Sequence, residues 1–258
     1  MSGLHIEFSG PEDGIPLVLL HGFGGDGSAW DPVKAGLPDS VRVMAVDLPG
    51  HGGSLNAEGR GGAGRMAKAI LAGLDAAGIP EFHLAGHSMG GAVSALMAMR
   101  APERVKSLTL VAPGGMAKAI NADLLARYAR ATTEAEIRAC LDEMSAPGFV
   151  TSQAVIDHFV AARSKPGQRE ALDETYQAMF PNGPDEGQGV LPADALSGLE
   201  MPVFVIWGTQ DKVLPCPPPS ALPASFAFSV LPELGHMLPE ESPDAIIRVL
   251  GQALTSEA

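Results

Sequence analysis

The sequence contains a serine in a setting that can make its hydroxyl a nucleophile. Residues 86–90 are Gly-His-Ser-Met-Gly; they follow the apolar run 82–85 and precede the helix-forming stretch 91–99. A strand, a sharp turn and a helix in this order are typical of a nucleophile elbow, whose glycines prevent side-chain collisions around the strained serine. An ordinary Gly-Ser turn is the alternative. The setting favours a nucleophile, so we expect Ser88 to project from a sheet edge into a cleft.

A serine hydroxyl is a poor nucleophile until a base takes its proton and a carboxylate orients that base. In serine hydrolases with an elbow, the acid and then the histidine come after later strands of the sheet. Asp211 follows the apolar run 203–206, and His236 follows the run 226–231. Both runs end at the sheet edge expected for Ser88. We therefore predict Ser88 as nucleophile, His236 as base and Asp211 as its orienting acid.

Other side chains compete for the acid and base roles. Asp211 lies in a polar segment that could be only a turn, and Glu233 is a nearby carboxylate. Glu240 and Glu241 follow the histidine and are expected to serve as negative charge at a helix N-terminus. His21 and His51 are the remaining candidates for the base. His21 precedes Ser88, contrary to the expected order of serine, acid and histidine.

Acyl transfer also requires donors for the oxyanion, and backbone amides in rigid turns usually supply them. The N–H of Met89, directly after the nucleophile at a helix N-terminus, is one expected donor. The second is expected from the glycine-rich loop 21–26, with Phe23 as the predicted donor. This loop lacks the lysine and serine or threonine of a phosphate-binding loop, which leaves phosphate binding as a minor alternative.

Short apolar runs alternate along the chain with helical patterns, and this alternation predicts an α/β fold with a mostly parallel sheet flanked by helices. Helices are expected at about 60–78, 89–100 and 243–254. The predicted strands are 17–20, 41–46, 82–85, 108–111, 203–206 and 226–230.

One long stretch interrupts the alternation. Residues 116–195 show helical pieces and no convincing strand, which predicts an inserted helical cap between two core segments, 1–115 and 196–258. The polar, glycine-rich segment 181–189 is expected to be a mobile loop or a plain surface linker. Large side chains of the insertion are candidates for lining a substrate pocket, with core packing as the alternative for each. They are Met116, Tyr128, Phe149, Phe159, Met179 and Phe180.

Composition narrows the classes of partner. The 258 residues include 30 acidic and 17 basic side chains, a formal charge of −13, which disfavours nucleic acid and anionic membranes. Only Cys140 and Cys216 are present, and the N-terminus shows no leader pattern, so we expect a cytoplasmic protein with a small-molecule substrate. No metal or cofactor is predicted, and the oligomeric state is left open.

Several segments together resemble the α/β-hydrolase superfamily over essentially the whole chain outside the predicted cap. They are 21–24, Trp30, 47–54, 86–91, 207–215 and 235–236. The resemblance implies the triad of Ser88, Asp211 and His236 and an oxyanion hole formed by Phe23 and Met89. It also implies that His21, Asp47 and His51 are structural. Within the superfamily the chain is similar to hydrolases related to the acetoin-dehydrogenase acyltransferase component and to small bacterial esterases.

Departures from neighbouring families narrow the expected chemistry. Relatives that displace halide or open epoxides use an aspartate nucleophile, whereas this chain has Ser88. Relatives that cleave carbon–carbon bonds of ring-fission products usually have asparagine before the nucleophile and tryptophan after the histidine; here these residues are His87 and Met237. We therefore predict hydrolysis of a small ester, thioester or lactone through an acyl-enzyme. Carbon–carbon hydrolysis and an inert ligand-binding relative are the alternatives.

Overall fold

The computed structural model describes residues 3–256. Its sheet has the strand order β1-β3-β2-β4-β5-β6-β7; β1 is antiparallel to β3, and the other neighbouring pairs are parallel. The strands are β1 (Ile6–Ser9), β2 (Ile15–Leu20), β3 (Val41–Val46), β4 (Phe82–His87), β5 (Val105–Val111), β6 (Val203–Gly208) and β7 (Ala227–Leu231). The chain therefore has the predicted α/β fold with a mostly parallel sheet.

Helices flank this sheet, with α3 against β4 and β5, α10 against β5 and β6, and α2 against α3. The helices are α1 (Asp31–Lys34), α2 (Ala63–Ala76), α3 (Met89–Arg100), α4 (Ala122–Arg130), α5 (Glu134–Met144), α6 (Gln153–Arg163), α7 (Gln168–Met179), α8 (Ala193–Ser197), α9 (Leu238–Glu241) and α10 (Pro243–Thr255). The central strands are apolar almost throughout because both of their faces are covered.

The register aligns the carboxyl ends of the strands. Leu20 pairs with Gly86, and Val111 pairs with both His87 and Ile206. Gly208 pairs with Leu231 at the end of β7. The loops that leave β2, β4, β6 and β7 consequently begin at one edge of the sheet, which is where parallel α/β folds bind their ligands.

The six strands predicted from apolar runs all form, with some bounds extended. The run 226–230 becomes β7 one residue later, and β4 continues to His87. The sequence analysis missed β1, whose residues are mostly exposed at the sheet edge and lack an apolar run. It also left α7 unassigned, a helix with low average hydrophobicity.

Four helices, α4 to α7, lie between β5 and β6 and are followed by the short α8. The predicted end of the insertion at 195 falls within α8. The segment 181–189, expected to be mobile or a linker, is fixed at its end by Gln188. The Oε1 atom of Gln188 accepts a hydrogen bond from Gly115 N at 3.0 Å, and its Nε2 donates to Ala117 O at 2.9 Å.

Candidate active site

The turn between β4 and α3 holds Ser88 in a strained backbone conformation, with φ 53° and ψ −117°. Two glycines make this turn possible. A side chain on Gly86 would collide with the carbonyl oxygen of Gly90 and with Ser94 Oγ, and one on Gly90 would collide with the carbonyl oxygen of Leu20. A strained, non-glycine residue at the end of a buried strand is typical of a functional site.

Three polar side chains from distant parts of the chain meet at this turn. His236 Nε2 lies 2.9 Å from Ser88 Oγ, and His236 Nδ1 lies 2.7 Å from Asp211 Oδ2. Ser88, Asp211 and His236 are 9%, 8% and 3% exposed. With a proton on Nδ1, the imidazole donates to the carboxylate and its free Nε2 accepts from the serine hydroxyl. The arrangement can move a proton away from Ser88 Oγ.

Asp211 is fixed by donors besides the histidine. Its Oδ1 accepts hydrogen bonds from the backbone N–H groups of Val213 at 2.8 Å and Leu214 at 2.7 Å. Its Oδ2 also accepts from Trp207 Nε1 at 3.1 Å. Together with His236, each carboxylate oxygen therefore has two donors, and the three besides the histidine set the direction in which Oδ2 meets His236 Nδ1.

The backbone of His236 is held on both sides. Its N–H donates to Met144 O at 2.8 Å, and its carbonyl oxygen accepts from His87 Nε2 at 2.8 Å. Burial and the neighbouring His236 lower the pKa of His87 to about 3, so the His87 ring is neutral at pH 7. His87 therefore acts as a neutral donor that anchors the segment carrying His236.

Glu241 fixes the same segment from the other direction. Its Oε2 accepts from the N–H groups of Gly235 at 2.8 Å and Ala146 at 2.9 Å, and its Oε1 accepts from Met237 N at 2.8 Å. The sequence analysis expected Glu241 to provide charge at a helix N-terminus. Glu241 does lie in the first turn of α9, and its carboxylate also ties the residues on both sides of His236 to the end of α5.

The loop after β2 approaches the nucleophile closely. A Cβ atom on Gly22 would lie 3.2 Å from Ser88 Cβ, so a side chain there would force the loop outward. The next residue in the loop is Phe23, and Arg163 Nη1 donates to Gly24 O at 3.0 Å. Within residues 3–256, the amide N–H groups of Phe23 and Met89 have no acceptor. Phe23 and Met89 both line the cavity that contains Ser88, and their role as oxyanion donors stays a prediction.

The polar residues Asp47 and His21 around this loop have other partners. Asp47 accepts from Gly27 N and Gly53 N, both at 2.7 Å. His21 Nε2 accepts from Leu48 N at 2.9 Å. These contacts hold the loops after β2 and β3 together. Because Nε2 of His21 is occupied by Leu48 N, His21 is not placed to act as the base for Ser88.

Two cavities meet at Ser88. The wide arm, about 260 Å³ in volume, is lined by twenty residues, of which only Ser88 and Gln188 have polar side chains. The narrow arm, about 30 Å³, also has His236 in its wall, with Tyr128 and Glu240. Phe23, Ser88 and Leu125 line both arms. A substrate bound across Ser88 can therefore place one part in an apolar space and the other beside the imidazole.

The pocket residues predicted from the insertion are divided among several environments. Met179 lines the wide arm, and Tyr128 and Phe159 line the narrow arm. Met116, Phe149 and Phe180 line neither arm. Phe180 packs against Tyr176, with ring centroids 4.8 Å apart; Met116 packs against the core; and Phe149 lies partly exposed between α5 and α6.

Sequence reasoning missed several residues that line the arms. Leu125, Leu191 and Val213 give the wide arm its apolar walls, and Gln188 is its polar member apart from Ser88. Glu240 lines the narrow arm. Leu125 belongs to the apolar face of α4, but no pattern in the sequence indicates which helix face is turned toward Ser88.

In the described part of the chain, no group of three or more histidine, cysteine or acidic residues is arranged to hold a metal ion. None of the described helices combines the length and apolar character required to cross a lipid bilayer.

Residues 15–243 match the family model of the alpha/beta hydrolase fold, and the chain belongs to the α/β-hydrolase family. As a member of this family with hydrolase relatives, it is an enzyme of the α/β-hydrolase type. The family resemblance recognised in the sequence is thereby confirmed.

Among its relatives, the chain is 37% identical over 238 residues to the dihydrolipoyllysine-residue acetyltransferase component of the acetoin cleaving system of Pseudomonas putida. The match covers 92% of this chain and 62% of that protein, so the chain spans less than two thirds of the relative's length. It is also 29% identical over 209 residues to the 2-hydroxymuconate semialdehyde hydrolase of Pseudomonas putida, covering 79% of this chain and 73% of that enzyme.

The fold is also similar to a solved structure, the 2-hydroxy-6-oxo-6-phenylhexa-2,4-dienoate hydrolase from Rhodococcus. The TM-score is 0.81 at 24% identity, covering 98% of this chain and 95% of that structure. At this identity the likeness establishes a common fold.

Proposed function

We propose that this chain is a serine hydrolase that cleaves a small carboxylic ester through an acyl-enzyme. The observation that carries the proposal is the continuous set of hydrogen bonds from Ser88 Oγ through His236 to Asp211, 2.9 and 2.7 Å long. His236 Nε2 takes the hydroxyl proton as Ser88 Oγ attacks the carbonyl carbon, and Asp211 stabilises the imidazolium that forms. The N–H groups of Phe23 and Met89 then stabilise the oxyanion.

Collapse of the tetrahedral intermediate breaks the bond to the leaving oxygen, which receives the proton from His236. Water attacks the acyl-enzyme next, with His236 accepting its proton, and the acid leaves as Ser88 regains its hydrogen. Thioesters and lactones follow the same steps and belong to the proposed substrate range.

The position of His236 indicates which arm holds the leaving group and which holds the acyl group. A leaving oxygen must lie within hydrogen-bond reach of His236 Nε2 to be protonated, and His236 is in the wall of the narrow arm. The leaving group therefore occupies the narrow arm, and the acyl group occupies the wide, apolar arm. An acyl chain buried there gains about 0.8 kcal/mol per CH₂ group, which favours an apolar acyl group over a charged one.

Carbon–carbon hydrolysis is the second candidate because of the similarity to the 2-hydroxymuconate semialdehyde hydrolase. A dienoate substrate carries a carboxylate that needs a cationic or multiple-donor partner once removed from water. Within residues 3–256, no lysine or arginine lines either arm. This lining favours a neutral ester.

An inert ligand-binding role would leave the alignment of Ser88, His236 and Asp211 without a purpose.

We propose residues 116–195 as a cap over the active site, on the ground that Leu125, Met179 and Gln188 from this insertion line the wide arm.

We further propose a cytoplasmic location, on the ground that the described cysteines, Cys140 and Cys216, are free thiols. Labelling of the expressed protein with a thiol reagent confined to one cellular compartment tests the proposed cytoplasmic location.

The experiment that tests the proposed reaction uses 4-nitrophenyl esters of graded acyl length, with Ser88→Ala and Ser94→Ala as a matched pair. Ser94 is a buried serine on α3 whose hydroxyl has no partner among the described residues. We expect Ser88→Ala to lose about 10⁴-fold or more in kcat, and Ser94→Ala to retain the wild-type rate. A fluorophosphonate should label wild type and Ser94→Ala only. Equal labelling or turnover in Ser88→Ala would contradict the proposal.

A further inference from the structure

One carboxyl group in the active-site wall has no part in the mechanism above. Glu240 lines the narrow arm together with Ser88 and His236. It also lines an outer groove with Asp26 and His158, and the narrow arm and the groove share three wall residues: Ala29, Phe159 and Glu240. Glu240 thus separates the leaving-group end of the site from a second cavity that is open to the surface.

The carboxyl group of Glu240 lacks the partners that a buried acid normally has. Its Oε2 is buried and, within residues 3–256, has no hydrogen-bond partner. The adjacent Glu241 differs sharply, since its carboxylate accepts three backbone N–H groups. A buried polar atom without a partner destabilises the fold, and a bound ligand that supplies the missing partner recovers that energy.

Glu240 can provide a hydroxyl donor. Burial is the main reason why the pKa of Glu240 rises to about 8, so the group is a neutral carboxylic acid at pH 7. Burial also raises the pKa of Tyr128, in the wall of the same arm, to about 12. Besides Ser88, the narrow arm is therefore lined by two uncharged O–H groups, which suit an uncharged polar ligand and leave an ammonium or carboxylate without a counter-charge.

We infer that the narrow arm recognises a small leaving alcohol that carries a second hydroxyl, and that Glu240 forms a hydrogen bond with that hydroxyl. This inference rests on the proposed function and deepens it. The substrate class is an ester with an apolar acyl group and a compact, hydroxyl-bearing alcohol. In the free enzyme Glu240 Oε2 lacks a partner among the described residues; in the complex the carboxyl group donates to, or accepts from, the hydroxyl of the alcohol.

The size of the narrow arm supports a compact alcohol. A cavity needs about 10–15 Å³ to hold one water molecule. The narrow arm, at about 30 Å³, therefore accommodates groups of two or three heavy atoms. The CH₂CH₂OH part of an ethylene glycol ester, three heavy atoms beyond the ester oxygen, fits this description. Longer alcohols would have to displace Phe159 or Glu240 toward the outer groove.

The test compares 2-hydroxyethyl hexanoate with propyl hexanoate, which have the same number of heavy atoms and differ in one terminal hydroxyl. Values of kcat/KM for the two esters are each divided by the rate of hydroxide-catalysed hydrolysis, which removes their difference in intrinsic reactivity. We expect wild type to favour the hydroxyethyl ester about tenfold or more, as expected of a site built to hydrogen-bond a substrate hydroxyl.

Two substitutions separate hydrogen bonding from space filling. Glu240→Gln keeps a neutral donor and acceptor and should retain most of the preference. Glu240→Met removes both, and the ratio should fall to about 1. Glu200→Met, at an exposed carboxylate before β6, is the matched control and should keep the wild-type ratio.

The outcomes distinguish this inference from the proposed function. If wild type hydrolyses both esters with a ratio near 1, or if Glu240→Met keeps the wild-type ratio, the inference is overturned and ester hydrolysis by Ser88 stands. If neither ester is hydrolysed, the proposed function fails and the inference fails with it. Because the wild-type ratio alone can contradict the inference, the test does not depend on the folding of Glu240→Met.

Discussion

His87 Nε2 donates a hydrogen bond to the backbone carbonyl oxygen of His236, 2.8 Å away and 149 positions later in the chain. The residue directly before the proposed nucleophile thus holds the segment that carries the proposed base. The two imidazole rings also lie close, with centroids 4.9 Å apart. The distance between Ser88 and His236 therefore depends on the contact of His87 with the backbone of His236 as well as on the hydrogen bond between Ser88 and His236.

We predict that His87→Leu lowers kcat by about tenfold or more, because the carbonyl of His236 loses its donor and the imidazole is no longer held within reach of Ser88. The control is His83→Leu. His83 is another buried histidine on β4, and its Nδ1 lies 2.8 Å from Ser107 Oγ. Both variants should have a lower Tm, and only His87→Leu should have a reduced kcat. Equal loss of kcat in the two variants would show that general destabilisation explains the effect.

We predict a graded loss of stability at Glu241. Glu241→Ala leaves the N–H groups of Gly235, Ala146 and Met237 without their acceptor, and each unsatisfied group contributes about 1 kcal/mol or more to the loss. Glu241→Gln keeps one oxygen, which can accept from two of the three, and should lose less. Urea unfolding measures both variants. A larger loss for Gln than for Ala would contradict this account of the carboxylate.

Much of the fold and site was predictable because it depends on local patterns. The elbow around Ser88 requires glycines at fixed spacing, and buried parallel strands such as β3 require continuous apolar runs. The order of strands then brings Asp211 and His236 to the same edge. These features are set by neighbours in sequence or by the general topology of α/β sheets, so they can be recognised in a single chain.

Features that depend on tertiary packing were not predictable. Glu240 and Glu241 are adjacent acidic residues in the sequence, yet one accepts three backbone hydrogen bonds and the other has a buried oxygen without a partner. The difference arises from where the end of α5 and the Tyr128 side chain lie around them. For the same reason, Phe180 was expected in the pocket, whereas it packs on Tyr176.

We predict that stability falls as the pH is lowered from about 6.5, in part because His51 is buried as a neutral ring. Burial lowers the pKa of His51 to about 3, from 6.5. Between these values the unfolded chain binds a proton that the folded chain does not, so acid favours unfolding. His51→Gln removes this titration. The free energy of unfolding of this variant, measured with urea at pH 7, 6 and 5, should fall less steeply with decreasing pH than that of wild type. The two slopes should differ by up to about 1.4 kcal/mol per pH unit. Equal slopes would contradict the prediction.

The buried carboxyl group of Glu240 should give the opposite dependence on pH. Its pKa is raised from 4.5 to about 8, so between these values the folded state holds a proton that the unfolded chain releases. This contribution to stability is complete below about pH 4.5 and is lost as the pH rises through 8.

The ionisable groups that face Glu240 also affect this titration. They are Glu241 on α9, Tyr128 on α4, His158 on α6, His87 and His236 in the narrow arm, and Asp26 and Asp31 in the outer groove. All of them remain in Glu240→Gln, so the difference between this variant and wild type isolates Glu240. We expect the variant to gain stability relative to wild type as the pH rises from 5 to 8, by on the order of 1 kcal/mol per pH unit. Urea unfolding at pH 5, 6, 7 and 8 measures the difference, and a difference that does not change with pH would show that Glu240 is ionised in the folded protein.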